Sequence, residues 1–206
     1  MKWVRSYTGS QGETLAAAGW AGDGLPAVLP DGPPRGIILD PGHFEPAWIR
    51  DYNYYPLLAT LDDDVTIIEW DMALAREDRQ AWAAHCAASP GLVQVAPYRQ
   101  YYGWCKPDGA EWGYVHRQLD GLLADGEPEC DLFGFGLVYI PLWIARALTA
   151  ECADPDIAAK RGSRLGVVLA EKFITDVTFS HWHRAATGHR VPVRWDVRPL
   201  HLHYEV

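Results

Sequence analysis

Four β-branched residues in succession, Val65-Thr66-Ile67-Ile68, run straight into Glu69-Trp70-Asp71. Side chains branched at Cβ lose little by extending and pack well on a pleated surface, so the run reads as a buried strand. A helix-compatible stretch over residues 76–88 follows, and strand followed by helix is the repeating unit of an α/β sheet. Ligands of such sheets collect at the carboxyl ends of the strands, which is where these two acids stand.

Other segments repeat the unit. Residues 2–7 alternate as a short strand, 11–19 can form a short helix ended by glycine, and 23–35 form a Pro/Gly-rich loop. Gly36-Ile37-Ile38-Leu39 reads as a strand turning at Asp40-Pro41-Gly42, and 92–95 as a third. Residues 98–113 are an aromatic loop, 115–123 a weak helix, and 132–139 a segment broken by Phe133-Gly134-Phe135-Gly136. A helix over 141–152 starts at proline, a favoured first position, and further helix spans 154–173 with a break near Gly162. Thr175-Asp176 can cap a helix over 177–186, and 191–204 is an extended tail. The expected architecture is α/β: one domain over residues 1–206, its central and mostly parallel sheet flanked by helices.

Charge narrows the partners. With 18 Lys+Arg against 27 Asp+Glu the net charge is −9, which disfavours a broad nucleic-acid face. Six arginines, at 161, 164, 184, 190, 194 and 198, nevertheless make the last quarter far more basic than the rest. Ten Trp and ten Tyr exceed what a core of this size needs and fit a flat-walled ligand site. Without a signal-peptide pattern or a membrane-length apolar run, a cytoplasmic protein with no membrane partner is expected. Cys86, Cys105, Cys130 and Cys152 form no CxxC pair and read as reduced, structural thiols.

Chemistry-bearing residues occur in three places. Alternation along a strand sends Glu69 and Asp71 to one face, within reach of one hard cation. His201-Leu202-His203 likewise puts two imidazoles on one face of an extended segment. A mixed carboxylate and imidazole set points to Mn²⁺, with Mg²⁺ as the alternative. His181-Trp182-His183 has the same spacing, but on a helix its two rings diverge. Asp176, opening a helix, is either a cap or a base.

The order of these features resembles GT-A nucleotide-sugar glycosyltransferases, most closely those similar to family 2 enzymes. The matching residues are Ile67-Ile68-Glu69-Trp70-Asp71, Phe133-Gly134-Phe135-Gly136, Thr175 through Ser180, Arg184-Ala185-Ala186-Thr187-Gly188 and His201-Leu202-His203. The resemblance implies a Rossmann-like GT-A domain in which Asp71 ligates the metal and Glu69 holds the ribose or a metal-bound water. It also implies that His201 or His203 completes the metal shell, that Asp176 is the catalytic base, and that Asp40 contacts the nucleoside. The usual Asp-x-Asp appears here as Glu-Trp-Asp, the late acidic pair as Thr175-Asp176, and the region before the metal motif is short. In size and tail pattern the chain is similar to small phage enzymes, associated with TET-type dioxygenases, that glycosylate hydroxymethylcytosine in DNA; host cytoplasm is the location this implies.

The expected activity is therefore metal-dependent transfer of a hexose, by default glucose, from a UDP-sugar to a hydroxyl acceptor, foremost hydroxymethylcytosine in phage DNA because the last quarter is basic, with inversion, since no second carboxylate offers itself as a covalent nucleophile. One alternative keeps this chemistry with a protein or glycan acceptor, which the net charge of −9 favours. Another is a non-catalytic module that binds a sugar or nucleotide on its aromatic residues.

Overall fold

The β-branched run forms the middle strand of the main sheet. In the computed structural model, which describes residues 1–8, 45–70, 72–101 and 112–201, strand β3 spans Val65–Glu69. Strand β1 (Lys2–Thr8) pairs parallel with β3 on one side and with β2 (Glu45–Ile49) on the other. Beyond β3 the direction reverses. Strand β11 (Leu137–Ile140) is antiparallel both to β3 and to β5 (Gln94–Val95), giving the order β2-β1-β3-β11-β5. The sheet is thus mixed, and parallel pairing stops at β3. The reason is the point of entry: the Phe-Gly-Phe-Gly segment brings the chain into β11 beside the carboxyl end of β3, where the Glu69 amide donates to the Gly136 carbonyl at 3.2 Å.

Both faces of the sheet are covered, and alternation along the strands sorts the side chains between two cores. Ile68, Leu137 and Tyr139 pack with Trp82 and Cys86 of helix α2 (Arg76–Ala88). Val65, Ile67, Val138 and Ile140 pack on the opposite face. There they meet Leu58 of α1 (Tyr55–Thr60), Ile144 and Leu148 of α3 (Leu142–Cys152), and Phe179 and Trp182 of α6 (Asp176–Thr187). Fully burying such a side chain contributes roughly 1.5–3 kcal/mol each, so these layers rather than helix propensity hold the elements in place. Two helices join α3 to α6: α4 (Ile157–Arg161) and α5 (Ser163–Ala170), separated at Gly162. Glu151 at the end of α3 ties this side together, accepting from the Trp182 indole at 2.7 Å and pairing with Arg161.

Several expectations change. Residues 115–123 are no helix; they contain an antiparallel pair, β8 (Arg117–Gln118) and β9 (Gly121–Leu122), turning at Leu119-Asp120. The Asp-Gly pair at 120–121 is a turn signal that overrides the weak apolar periodicity. The ends of the expected aromatic loop at 98–113 form a second pair, β6 (Arg99–Tyr101) with β7 (Trp112–Tyr114), and residues 102–111 lie outside the described residues. Strand β2 and helix α1 carry no clear periodic signal. Near the end of the chain β12 (Val191–Pro192) pairs with β10 (Glu129–Cys130). Strand β13 (Leu200–His201) pairs antiparallel with β4 (Met72–Ala73), His201 standing opposite Met72. The expected elements at 11–19 and 36–39 lie outside the described residues. No helix among those described is long and apolar enough to cross a membrane. Cys86, Cys130 and Cys152 are buried free thiols, Cys86 pushed by burial up to about 12 and Cys152 to about 11.

Candidate functional site

Glu69 ends β3, and its surroundings are built by residues far away in sequence. Arg5, on the neighbouring strand and only 3% exposed, donates through Nη1 to the carbonyls of Glu69, Trp70 and Met72 at 3.3, 3.4 and 3.2 Å. One guanidinium nitrogen thus gathers the backbone around the Glu-Trp step, its two N–H groups shared among three carbonyls. The Glu69 side chain accepts from the Tyr54 hydroxyl at 2.9 Å. Tyr54 is buried, edge-on to Phe135 with ring centroids 4.5 Å apart. Burial first, then the Glu69 charge, hold its phenol well above the ordinary tyrosine range, so it is a permanent donor to that carboxylate.

The Tyr54 amide donates to the Ile174 carbonyl at 2.7 Å, and the Ile174 amide donates to Asn53 Oδ1 at 2.8 Å. This double contact fastens the start of α6 beside Glu69. Thr175 is the N-cap, its hydroxyl accepting from the Thr178 amide at 3.1 Å, and Asp176 occupies the first turn. The capping role weighed for Asp176 therefore belongs to Thr175. Asp176 Oδ1 accepts from the Val177 amide at 2.7 Å, while Oδ2 lies beside Gly134. A helix start favours a carboxylate. Desolvation outweighs it here and raises the Asp176 pKa above the ordinary aspartate value, which makes this carboxylate a stronger base.

Gly134 and Gly136 are where this packing admits no side chain. A methyl group on Gly134 would collide with the Tyr98 hydroxyl and a Val115 methyl and lie 3.3 Å from Asp176 Oδ2; one on Gly136 would enter the Tyr98 ring. Three of the five matching motifs, around Glu69, Gly134 and Asp176, thus meet at the carboxyl end of β3. A fourth, Arg184 through Gly188, has a structural role. Gly188 is the left-handed C-cap of α6 (φ 71°), its carbonyl accepts from Arg184 Nη1, and Arg184 Nε sits 2.9 Å from the buried Asp131.

The fifth motif is brought near by the β4–β13 pairing, which sets the backbone of His201 opposite Met72, the residue after Asp71. Asp40, Asp71 and His203 lie outside the described residues, as does the His201 side chain. Among the described residues no three His, Cys, Asp or Glu side chains form a metal-holding group. A carboxylate with an imidazole is a donor set that suits a hard or borderline divalent cation, and of the residues expected to hold one only Glu69 has a described side chain. His181 is exposed and His183 buried, so that pair diverges as expected on a helix.

Tyr54 and Arg5 were not apparent from sequence. An arginine inside the strand over 2–7 was the available signal, since a buried arginine requires acceptors. Four of the six late arginines are engaged internally: Arg161 with Glu151, Arg184 and Arg190 with Asp131, and Arg194 with Gln94.

No family model and no curated protein matches the chain. Among solved structures it is similar to A197 from STIV, at 14% identity and a TM-score of 0.40, over 71% of this chain and 68% of that one. A likeness of that degree bears on neither fold family nor function.

Proposed function

We propose that the chain is a GT-A-like glycosyltransferase that moves a hexose from a UDP-sugar to a hydroxyl acceptor with inversion, using Mn²⁺ or Mg²⁺. The observation that carries this reading is the β4–β13 pairing, in which His201 stands opposite the residue that follows Asp71, from 129 positions further along the chain. In this reading Asp71 with His201 or His203 holds the cation, and Asp40 contacts the nucleoside. A divalent cation there would balance the charge developing on the departing diphosphate. Glu69, fixed by Tyr54, orients the ribose, and Arg5 keeps the loop between them in shape. Asp176 takes the proton of the acceptor hydroxyl, a role helped by its raised pKa and by its seat on a capped helix.

The acceptor could be hydroxymethylcytosine in DNA, or a protein or glycan hydroxyl. The internal engagement of Arg161, Arg184, Arg190 and Arg194 favours a protein or glycan, because phosphate contacts need arginines that are not already satisfied.

Calorimetry with UDP and Mn²⁺ tests the reading. Binding is expected to require the cation and to be lost in Asp71→Ala, and His201→Ala or His203→Ala should raise the Mn²⁺ requirement. Cation-independent UDP binding, or an Asp71→Ala variant that binds as the parent does, would remove the metal site and the function with it.

A further inference from the structure

Residues 172–174 form a short strap between the end of α5 and Thr175, the cap of α6, and the side chain of Asn53 holds it. Asn53 Nδ2 donates to the Lys172 carbonyl at 3.0 Å. Its Oδ1 accepts from the Ile174 amide at 2.8 Å and from the Tyr55 amide at 3.1 Å. One half-buried amide thus ties the strap to the start of α1, using a donor and an acceptor on separate atoms. The strap is not relaxed. Lys172 has φ 56° at the position past a helix end where glycine is favoured, its amide bonding to the Leu169 carbonyl at 3.0 Å and the Phe173 amide to the Val168 carbonyl at 3.2 Å. On the other side of the clamp Asp51 and Tyr52 have φ of 54° and 59°. These are the three non-glycine residues with positive φ among the described residues, and all lie in the two segments that Asn53 joins. Backbone in that region persists only where its surroundings over-determine it, and it gathers where geometry serves function.

Asp176 stands two residues beyond the strap, and Tyr54, which holds Glu69, is the next residue after Asn53. We propose that Asn53 is a positioning residue for Asp176: by clamping the strap it sets where that carboxylate stands between Tyr54 and Gly134. In the glycosyltransferase reading, on which the purpose of this device rests, the carboxylate so placed removes the acceptor's proton. Among the described residues Asp176 meets the Tyr54 phenol, with the Glu69 charge behind it, on one side, and Gly134, backed by the Tyr98 hydroxyl, on the other. An unclamped strap lets the helix start move out from between them and take up water.

A ¹³C NMR pH titration of the Asp176 carboxyl in the full chain tests this, because it reads the seat of that one group. In the parent the midpoint is expected above the ordinary aspartate value, since desolvation is the largest cause acting on it. In Asn53→Ala it should fall back to about 3.9, because a rehydrated carboxylate loses the cause of its shift. Tyr139→Phe is the control. It removes bonds to Asp64 and to the Pro90 carbonyl at the amino end of β3 and should leave the Asp176 midpoint at the parental value. An unmoved midpoint in Asn53→Ala overturns the proposal, and so does an equal fall in Tyr139→Phe, which would make the effect a general loosening. If Asn53→Ala fails to fold, Asn53→Ser decides, since its hydroxyl keeps part of the clamp: a lowered midpoint supports the proposal and a parental one overturns it. UDP calorimetry answers separately. Cation-independent UDP binding in the parent would strike the glycosyltransferase reading, while the midpoint still decides what Asn53 does to Asp176.

Discussion

Helix α6 joins two unlike places. Its first turn sets Asp176 beside Gly134 and near Tyr54, and its second and last turns set His183 and Thr187 on a cleft at the other end of the sheet. Burial acts on both titratable groups in the same sense, against charge, and so moves them in opposite directions: the acid rises and the imidazole falls to about 4. Their surroundings differ. Asp176 accepts from the Val177 amide of its own helix and lies beside Gly134, whereas His183 lies among phenylalanines with a nitrogen unmatched among the described residues. A charge-bearing group at the first end can act as a base; at the second, a neutral group can only donate or accept a hydrogen bond.

The comparison breaks most visibly through Asp176→Asn. Asn keeps an oxygen for the Val177 amide, and Thr175 still caps the helix, so donor and cation should bind as in the parent while sugar transfer falls by about 10² to 10⁴, the usual cost of a lost general base. Single-turnover transfer beside UDP calorimetry separates the two; transfer at the parental rate would leave Asp176 without a catalytic role. Stability gives a second readout. A carboxyl whose folded pKa is raised binds its proton more tightly when folded, so the parent loses stability as pH rises through the ordinary aspartate value. Asp176→Asn should therefore be the more stable protein at neutral pH, with the advantage disappearing below that value.

His183 is expected to give the opposite slope. Its folded pKa, about 4 against 6.5, means that its stabilising contribution is complete above pH 6.5 and is lost as pH falls toward 4. At roughly 1.4 kcal/mol per pH unit the full loss is about 3 kcal/mol. Urea unfolding from pH 7 to pH 4 should show it, and His183→Phe should flatten that limb. His116, fully buried and pushed down to about 3, adds to the same acid sensitivity and is unaffected by that change.

Those elements whose stability comes from their own residues were legible in sequence. Helix α2 begins and ends where its periodicity begins and ends, and α6 starts at its threonine cap. The strand at 65–69 was equally plain, because four β-branched residues leave few alternatives. What the sequence hid are the relations between segments. Tyr54 follows an irregular stretch in which Asp51 and Tyr52 both have positive φ, and its role depends on Asn53 and Ile174, 121 positions apart, bonding to each other. The same is true of the direction of β11: an apolar strand reads alike whether its neighbour is parallel or antiparallel.

Gly134→Ala sharpens the acid end by steric means. The added methyl must displace Tyr98 or Val115, and overpacking of this kind costs about 1–3 kcal/mol. A lowered Tm together with impaired transfer is expected, whereas Gly91→Ala, at the cleft end and with open space around it, should change neither. Tyr54→Phe is the mildest change. It removes one buried hydroxyl and its bond to Glu69, about 1 kcal/mol, and should weaken donor binding, which UDP calorimetry would check.

The β4–β13 pairing has a bearing on the order in which the chain assembles. Met72 and His201 are 129 positions apart, so their contact closes one of the longest loops in the molecule and comes with a correspondingly large loss of chain entropy. During synthesis, β1, β3 and α2 emerge while the partner of β4 has still to be made. The chain after β3 therefore has no tail strand beside it until residues 200–201 have been made, and any property that depends on that strand waits for them.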